Sequence, residues 1–157
     1  MFLIERQILP TPLLYSSAFF EAARRDYYDG LRGVSERGEW NEWLEFFLQG
    51  VARLSEDALS RASRINKKLA DWRRKVAGDS TNTPLRVVEL LAANPFITVK
   101  GAAEKLDVAF TIAQRAIEKL ERLEIVNQRG DAKCGRVYCA QALLLILAER
   151  ARLSPGL

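Results

Sequence analysis

The stretch from Phe96 to Tyr138 reads FITVKGAAEKLDVAFTIAQRAIEKLERLEIVNQRGDAKCGRVY. Thr98 can cap a short helix, because a threonine hydroxyl accepts a hydrogen bond from an amide of the first turn. The apolar residues after it recur at helical spacing: Val99, Ala102, Ala103 and Leu106. Asp107–Ala109 then forms a tight connection, and a second helix is predicted from about Phe110 to Leu123. Its inward face is Ala113, Ala116, Ile117, Leu120 and Leu123. The alanines at 102 and 103 let two helices cross closely, which a helix-turn-helix requires.

Two short strand patterns follow the second helix. Ile125 to Arg129 and Arg136 to Ala140 are short extended segments, and a polar tip at residues 130–135 separates them. Gly130 and Gly135 bound that tip, which is typical of a β-hairpin. A helix-turn-helix followed by a hairpin predicts a winged helix-turn-helix with a small wing.

The remaining chain is expected to be mainly helical. Apolar residues recur at threes and fours from Glu39 to Ala77, which predicts one long helix. Residues 78–83 are small or polar and form the predicted linker. Pro84 suits the first turn of the next helix, and a last helix is predicted from Gln141 to Arg152. The predicted division is therefore residues 1–77, a linker at 78–83, a winged helix-turn-helix domain at 84–152 and a tail at 153–157.

The N-terminal part is predicted to contain further helices. Residues 1–8 look like the end of a helix, and Pro10 and Pro12 break it. A helix is expected from about Leu14 to Leu31, and a turn from Gly33 to Gly38. The start of the long helix carries large apolar side chains, and they are too many for a single neighbouring helix to cover. They are Trp40, Trp43, Phe46 and Phe47. We expect this exposed surface to drive a homodimer through the N-terminal and long helices.

Composition limits the chemistry of the chain. It contains 157 residues and no histidine, so the usual general base at neutral pH is missing. Cys134 and Cys139 have no further cysteine or histidine around them, which excludes a metal pattern and favours free thiols in a reducing cytosol. No apolar run approaches the roughly 18 residues of a membrane span, and charge at Glu5 and Arg6 argues against a secretory signal. We expect a cytoplasmic chain that is not itself an enzyme.

Several segments resemble the C-terminal part of a bacterial Fic-family protein. They are the segment from Pro12 to Glu21, the group Arg25 to Tyr28, and the pattern from Gly38 to Leu48 that contains Trp40 and Trp43. Long members of that family carry a winged helix after the Fic domain, and the segment from Phe96 to Ala103 is similar to the start of that module.

The resemblance implies a parent protein that transfers AMP from ATP to a hydroxyl of a target protein, with magnesium. The family's catalytic motif, HPFx(D/E)GNGR, is absent here, so the resemblance implies a non-catalytic region without its Fic core. Tyr27 and Tyr28 match the family's paired tyrosines at the adenine end of the nucleotide pocket. A further asparagine of some relatives falls near Ser35, where this sequence departs from the pattern.

Two functions stay open for the winged helix. In the first, the module binds DNA and regulates transcription, with the second helix in the major groove. The candidate DNA-binding residues are Thr111, Gln114, Arg115, Lys119 and Arg122 on the helix, with Arg129, Lys133 and Arg136 on the wing. In the second, the module binds proteins or dimerises and positions targets for the Fic domain. Glu118, Glu121 and Glu124 on or beside the same helix weaken the electrostatic case for DNA.

Overall fold

The computed structural model describes residues 20–21, 23–78, 81–130 and 135–149, and it is mainly helical with one small antiparallel sheet. The elements in chain order are α1 (Arg24–Arg37), α2 (Trp40–Val76), α3 (Thr83–Ala93), β1 (Phe96–Thr98), α4 (Val99–Leu106), α5 (Phe110–Arg122), β2 (Asn127–Arg129), β3 (Val137–Cys139) and α6 (Gln141–Ala148). The predictions for residues 1–19, for the hairpin tip at 131–134 and for residues 150–157 lie outside the described part. The chain divides into two compact units, and the boundary lies inside α2, between Ala62 and Ser63.

The end of α1 differs from the predicted turn at Gly33 to Gly38. That prediction is wrong, because the helix continues through Gly33 and ends at Arg37. A glycine inside a helix costs only about 1 kcal/mol, and no proline interrupts the segment. The reversal is confined to Gly38, whose φ of 70° lies in the left-handed region that glycine adopts freely. The Arg37 guanidinium then donates two hydrogen bonds of 2.6 Å to the Glu39 carboxylate across the bend.

The large aromatic residues of the N-terminal unit pack against one another. The Trp43 ring lies 5.2 Å from the ring of Tyr27, measured between centroids, and Phe20 stacks on Phe47 at 5.7 Å. Trp43 and Phe46 are consequently half-buried, whereas Trp40 remains 59% exposed. The expectation that all four aromatics of this segment are exposed was wrong for these two, because Tyr27 and Phe20 partly cover them.

The C-terminal unit, residues 63–148, contains one continuous apolar core. The end of α2 contributes Leu69, Trp72 and Val76 to it, and Trp72 is only 2% exposed. Val87, Val88 and Leu91 of α3 are fully buried in the same core. An ion pair reinforces this side of the unit, since Arg73 Nε and Nη2 donate to Glu89 at 2.7 and 2.9 Å. The core therefore extends back past the predicted linker at 78–83 into the long helix.

The two short helices predicted between Val99 and Leu123 are present as α4 and α5. The Thr98 hydroxyl accepts a hydrogen bond of 3.0 Å from the amide of Gly101 and caps α4. Asp107 has a φ of 52° and turns the chain between α4 and α5. α5 ends at Arg122, one residue before the predicted end, and the four buried residues of its inward face match the prediction: Ala113, Ala116, Ile117 and Leu120.

The sheet has three strands in the order β1-β3-β2. β2 and β3 lie within the two predicted strand segments but are shorter, with three residues each, and they pair antiparallel with Gln128 opposite Tyr138. β1 pairs antiparallel with the other edge of β3, with Ile97 opposite Tyr138. No sequence pattern predicts β1, because three residues are too short for a period-2 alternation. The last helix ends at Ala148, before the predicted Arg152.

Candidate nucleic-acid interface

The outward face of α5 is positioned by the helix's buried face. Ala113, Ile117 and Leu120 are fully buried, so the rotation of the helix about its axis is set by core packing. Of the predicted contact residues on this helix, three are exposed: Thr111, Arg115 and Arg122. Gln114 and Lys119 are half-buried at the flanks of this face. The fold thus groups five predicted residues along one side of one helix.

Arg115 and Arg122 are available for an external partner. Within the described part of the chain, no carboxylate forms an ion pair with either guanidinium. The acidic Glu118 on the same helix is instead engaged by Gln114, whose Nε2 donates to the Glu118 carboxylate at 2.8 Å. This hydrogen bond engages the side-chain amide of Gln114, one of the predicted DNA contacts, and keeps it beside an acidic group.

The hairpin adds two further cations at one end. Arg129 lies opposite Val137 in the antiparallel register, and Arg136 directly precedes Val137. Both arginine side chains are exposed, and both lie at the end of the hairpin that leads into its tip. Lys133, the third predicted residue of this region, lies outside the described residues.

A concave surface of about 580 Å³ lies between the start of α4, the start of α5 and β3. Its walls are formed by Thr98, Val99, Lys100, Phe110, Gln114, Gly135, Arg136 and Tyr138. We call this surface the α4–α5–β3 groove. Two of the predicted DNA contacts line this groove: Gln114 from the helix and Arg136 from the hairpin.

Sequence reasoning missed three residues of this region. Phe110 is 54% exposed and Ile112 is 43% exposed, although both belong to α5. Lys100 is exposed on α4 and pairs loosely with Glu104, with 3.9 Å between Nζ and the carboxylate oxygen. Helical spacing already places residues 110 and 112 outside the inward face defined by residues 113, 116, 117 and 120. That spacing is the signal that identifies them.

Tyr27 and Tyr28 belong to the N-terminal unit and have different environments. Tyr27 is half-buried, and its ring packs against Phe20, Tyr28 and Trp43. Tyr28 is 56% exposed, and the Arg24 guanidinium lies 5.8 Å from the centroid of its ring. The aromatic contacts of Tyr27 account for its position without a nucleotide, whereas more than half of the Tyr28 surface is exposed.

No family model matches the sequence. Among the described residues there is no group of three acidic, cysteine or histidine side chains that could hold a metal ion. The helices of the described part include none with both the length and the apolar character that a bilayer crossing demands.

Proposed function

We propose that the segment from Pro84 onwards is a winged helix-turn-helix that binds double-stranded DNA and regulates transcription. The order of α3, β1, α4, α5 and the β2–β3 hairpin supports this assignment, because the same order of elements builds that class of domain. In the proposed complex α5 enters the major groove, and the hairpin lies along the adjacent backbone.

The observation that carries the proposal is the outward face of α5. Arg115 and Arg122 are exposed on a helix whose rotation is set by its buried face, and they have no carboxylate partner in the described structure. An arginine in this state loses no intramolecular ion pair when it binds a phosphate or a guanine edge. Arg129 and Arg136 extend the same cationic character onto the hairpin.

The first experiment is selection of a bound sequence from random duplexes, followed by titration of that duplex at several salt concentrations. Phosphate contacts release counterions, so each contact contributes about −0.9 to the slope of log K against log salt. We expect Arg129→Ala to reduce the slope by about one and to leave the sequence preference unchanged. We expect Arg115→Ala to reduce discrimination between the selected and a scrambled duplex by about 1–3 kcal/mol, because a base contact is lost.

Arg74→Ala is the matched control. It removes another exposed arginine of the same unit, which lies on α2 and pairs with Asp71 at 3.3 Å. This variant should bind with the wild-type affinity and salt slope. Binding that keeps its preference after Arg115→Ala would show that α5 does not read the bases, and binding without any salt dependence would contradict the proposal as a whole.

The exposed apolar residues of α5 favour a second candidate, a protein-interaction or dimerisation module. Phe110 and Ile112 are large, exposed and close to the proposed DNA surface, and apolar residues of this kind are enriched at protein interfaces. This candidate predicts that Ile112→Ser weakens association with a partner protein, whereas the DNA proposal predicts no change in DNA affinity. Association with a protein should also depend little on salt, in contrast to DNA binding.

We also propose, from the resemblance described above, that the chain is the non-catalytic end of a Fic-type AMP-transferase. The exposure of Tyr28, 56% of its surface, is compatible with a contact to adenine in such a parent protein, in which ATP and magnesium are supplied to the catalytic core. The genomic reading frame tests this directly. A continuous frame upstream of the Met1 codon that encodes HPFx(D/E)GNGR supports the proposal, and a stop codon in that frame excludes it.

A homodimer through the N-terminal and long helices is part of the same proposal. Trp40 and Leu48, both on the first part of α2, are 59% and 61% exposed, and burial of such side chains favours association. Light scattering at micromolar concentration should give twice the chain mass, and Trp40→Glu with Leu48→Glu should return the monomer. A monomeric wild-type chain would exclude the dimer.

A further inference from the structure

The α4–α5–β3 groove has an apolar interior. Val99 and Tyr138 are buried at its base, with 9% and 3% of their surface exposed, and the Phe110 side chain is 54% exposed at its wall. Its volume of about 580 Å³ lies in the range of small-molecule sites, roughly 300–1,000 Å³. A half-exposed phenylalanine beside a buried apolar base gains stability when a flat apolar group covers it.

The charged side chains in the described lining of the groove are cationic. The Thr98 hydroxyl accepts from the Gly101 amide, and Gln114 donates to Glu118. Lys100 and Arg136 remain as charged groups of the lining, and no carboxylate lines the described part of the groove. Glu104 is 3.9 Å from Lys100, but both side chains are largely exposed, so this pair is weak. The groove therefore complements an anion.

We propose that the α4–α5–β3 groove binds a small anionic molecule with a flat apolar body, such as an aromatic carboxylate. Its ring lies against Phe110 over the base formed by Val99 and Tyr138, and its carboxylate accepts hydrogen bonds from Arg136. A DNA phosphate would neutralise Arg136 equally well but would leave the apolar wall and base without a partner. The apolar surface thus points to a ligand with an apolar ring.

If the proposed DNA-binding function holds, a ligand in the groove would regulate it. Gln114 and Arg136 belong both to the groove and to the proposed DNA surface, so a molecule in the groove and the DNA backbone compete for Arg136. The ligand is expected to weaken DNA binding in proportion to its occupancy.

The test compares 2-naphthoate with its neutral analogue 2-naphthamide, which has the same ring system. Each is titrated into the full chain and followed by amide chemical shifts in two-dimensional NMR spectra. We expect saturable shifts at residues 99–101, 110 and 135–138. We expect the carboxylate to bind about tenfold more tightly than the amide, because it is paired with a guanidinium. Shifts that concentrate at the aromatic residues 40–48, or equal binding of the two probes, would overturn the proposal.

Two variants separate the apolar and the ionic contributions. Phe110→Ala should weaken both probes by roughly fivefold, and Arg136→Gln should abolish the preference for the carboxylate while the amide binds as before. Leu145→Ala is the apolar control, because Leu145 is 60% exposed on α6 and does not line the groove. All three side chains are exposed, so the fold is retained. Unchanged affinity in Phe110→Ala would exclude this groove as the site.

The two proposals fail in different experiments. Titration of DNA without any probe tests the winged-helix function alone, and titration of 2-naphthoate without DNA tests the groove alone. Phe110→Ala should keep its DNA affinity and bind 2-naphthoate roughly fivefold more weakly. If the wild-type chain does not bind DNA but shows NMR shifts in the groove, only the DNA proposal fails. If it binds DNA but shows no NMR shifts in the groove, only the ligand proposal fails.

Discussion

Replacement of Trp72 by alanine tests whether the end of α2 belongs to the C-terminal core. The indole is 2% exposed and packs in the same cluster as Val87, Val88 and Leu91. A buried tryptophan covers roughly 150–250 Å², and at about 25 cal/mol per Å² this area corresponds to roughly 4–6 kcal/mol as an upper estimate. Measured replacements of this type cost about 3–5 kcal/mol, and this is the loss that we expect for Trp72→Ala.

That loss is large relative to the stability of the unit. A domain the size of residues 63–148 has a free energy of unfolding of about 4–13 kcal/mol. Trp72→Ala should therefore unfold the C-terminal unit at 25 °C if its stability lies at the lower end of this range, and should leave it folded but clearly less stable at the upper end. Urea unfolding followed by circular dichroism gives the free energy, and amide spectra show whether residues 83–148 lose their dispersed signals.

Trp40→Ala is the matched control, since it makes the same change on the same helix. Trp40 is 59% exposed, so its replacement should cost less than about 1 kcal/mol. The reasoning is refuted if the two variants lose equal stability, or if Trp72→Ala leaves the free energy of unfolding of the C-terminal unit unchanged. Either result would mean that α2 does not complete the core of the unit.

Three further predictions concern local interactions. Thr98→Ala removes the cap of α4 and should lower the free energy of unfolding in urea by about 1 kcal/mol, whereas Thr98→Ser should retain most of it. The Arg73 guanidinium lowers the pKa of Glu89 by donating hydrogen bonds to it. The pair's contribution is therefore present above the ordinary glutamate pKa of about 4.3 and is lost as the pH falls through the lower folded-state pKa. Because both side chains are about half exposed, Glu89→Gln should reduce the difference in unfolding free energy between pH 7 and pH 3 by less than about 1 kcal/mol, and a larger difference in the variant than in the wild type would contradict the sign. Gly38→Ala should cost about 1–2 kcal/mol in thermal or urea unfolding, since alanine is strained at a φ of 70°; a stabilised variant would show that α1 does not end in this conformation.

The local elements of the chain were largely predictable. Apolar residues at helical spacing identified α2 and α5 within one residue at each end, and the hydroxyl of Thr98 identified the start of α4. These signals work because helical contacts join residues three or four apart, so the information lies inside a short window. The exposed arginines of α5 follow from the same periodicity once the inward face is known.

The end of α1 shows where short-range signals mislead. Positions 33 and 38 are both glycine, but only Gly38 has a positive φ. Gly33 is buried inside the helix, and a Cβ there would lie 2.5 Å from the Glu39 carboxylate oxygen. The salt bridge between Arg37 and Glu39 thus brings a side chain against this glycine, which composition alone does not reveal.

The sequence by itself determined that α2 and α5 are helical, where α4 is capped and which side of α5 is polar, because these depend on neighbours along the chain. The tertiary structure alone decided that β1 joins β3, that Trp72 completes a core with α3, and that Phe110 shares a groove with Arg136. Each of these pairs residues that are distant in the sequence. Such contacts depend on how the folded elements bury apolar surface together, and no periodicity within one segment encodes them.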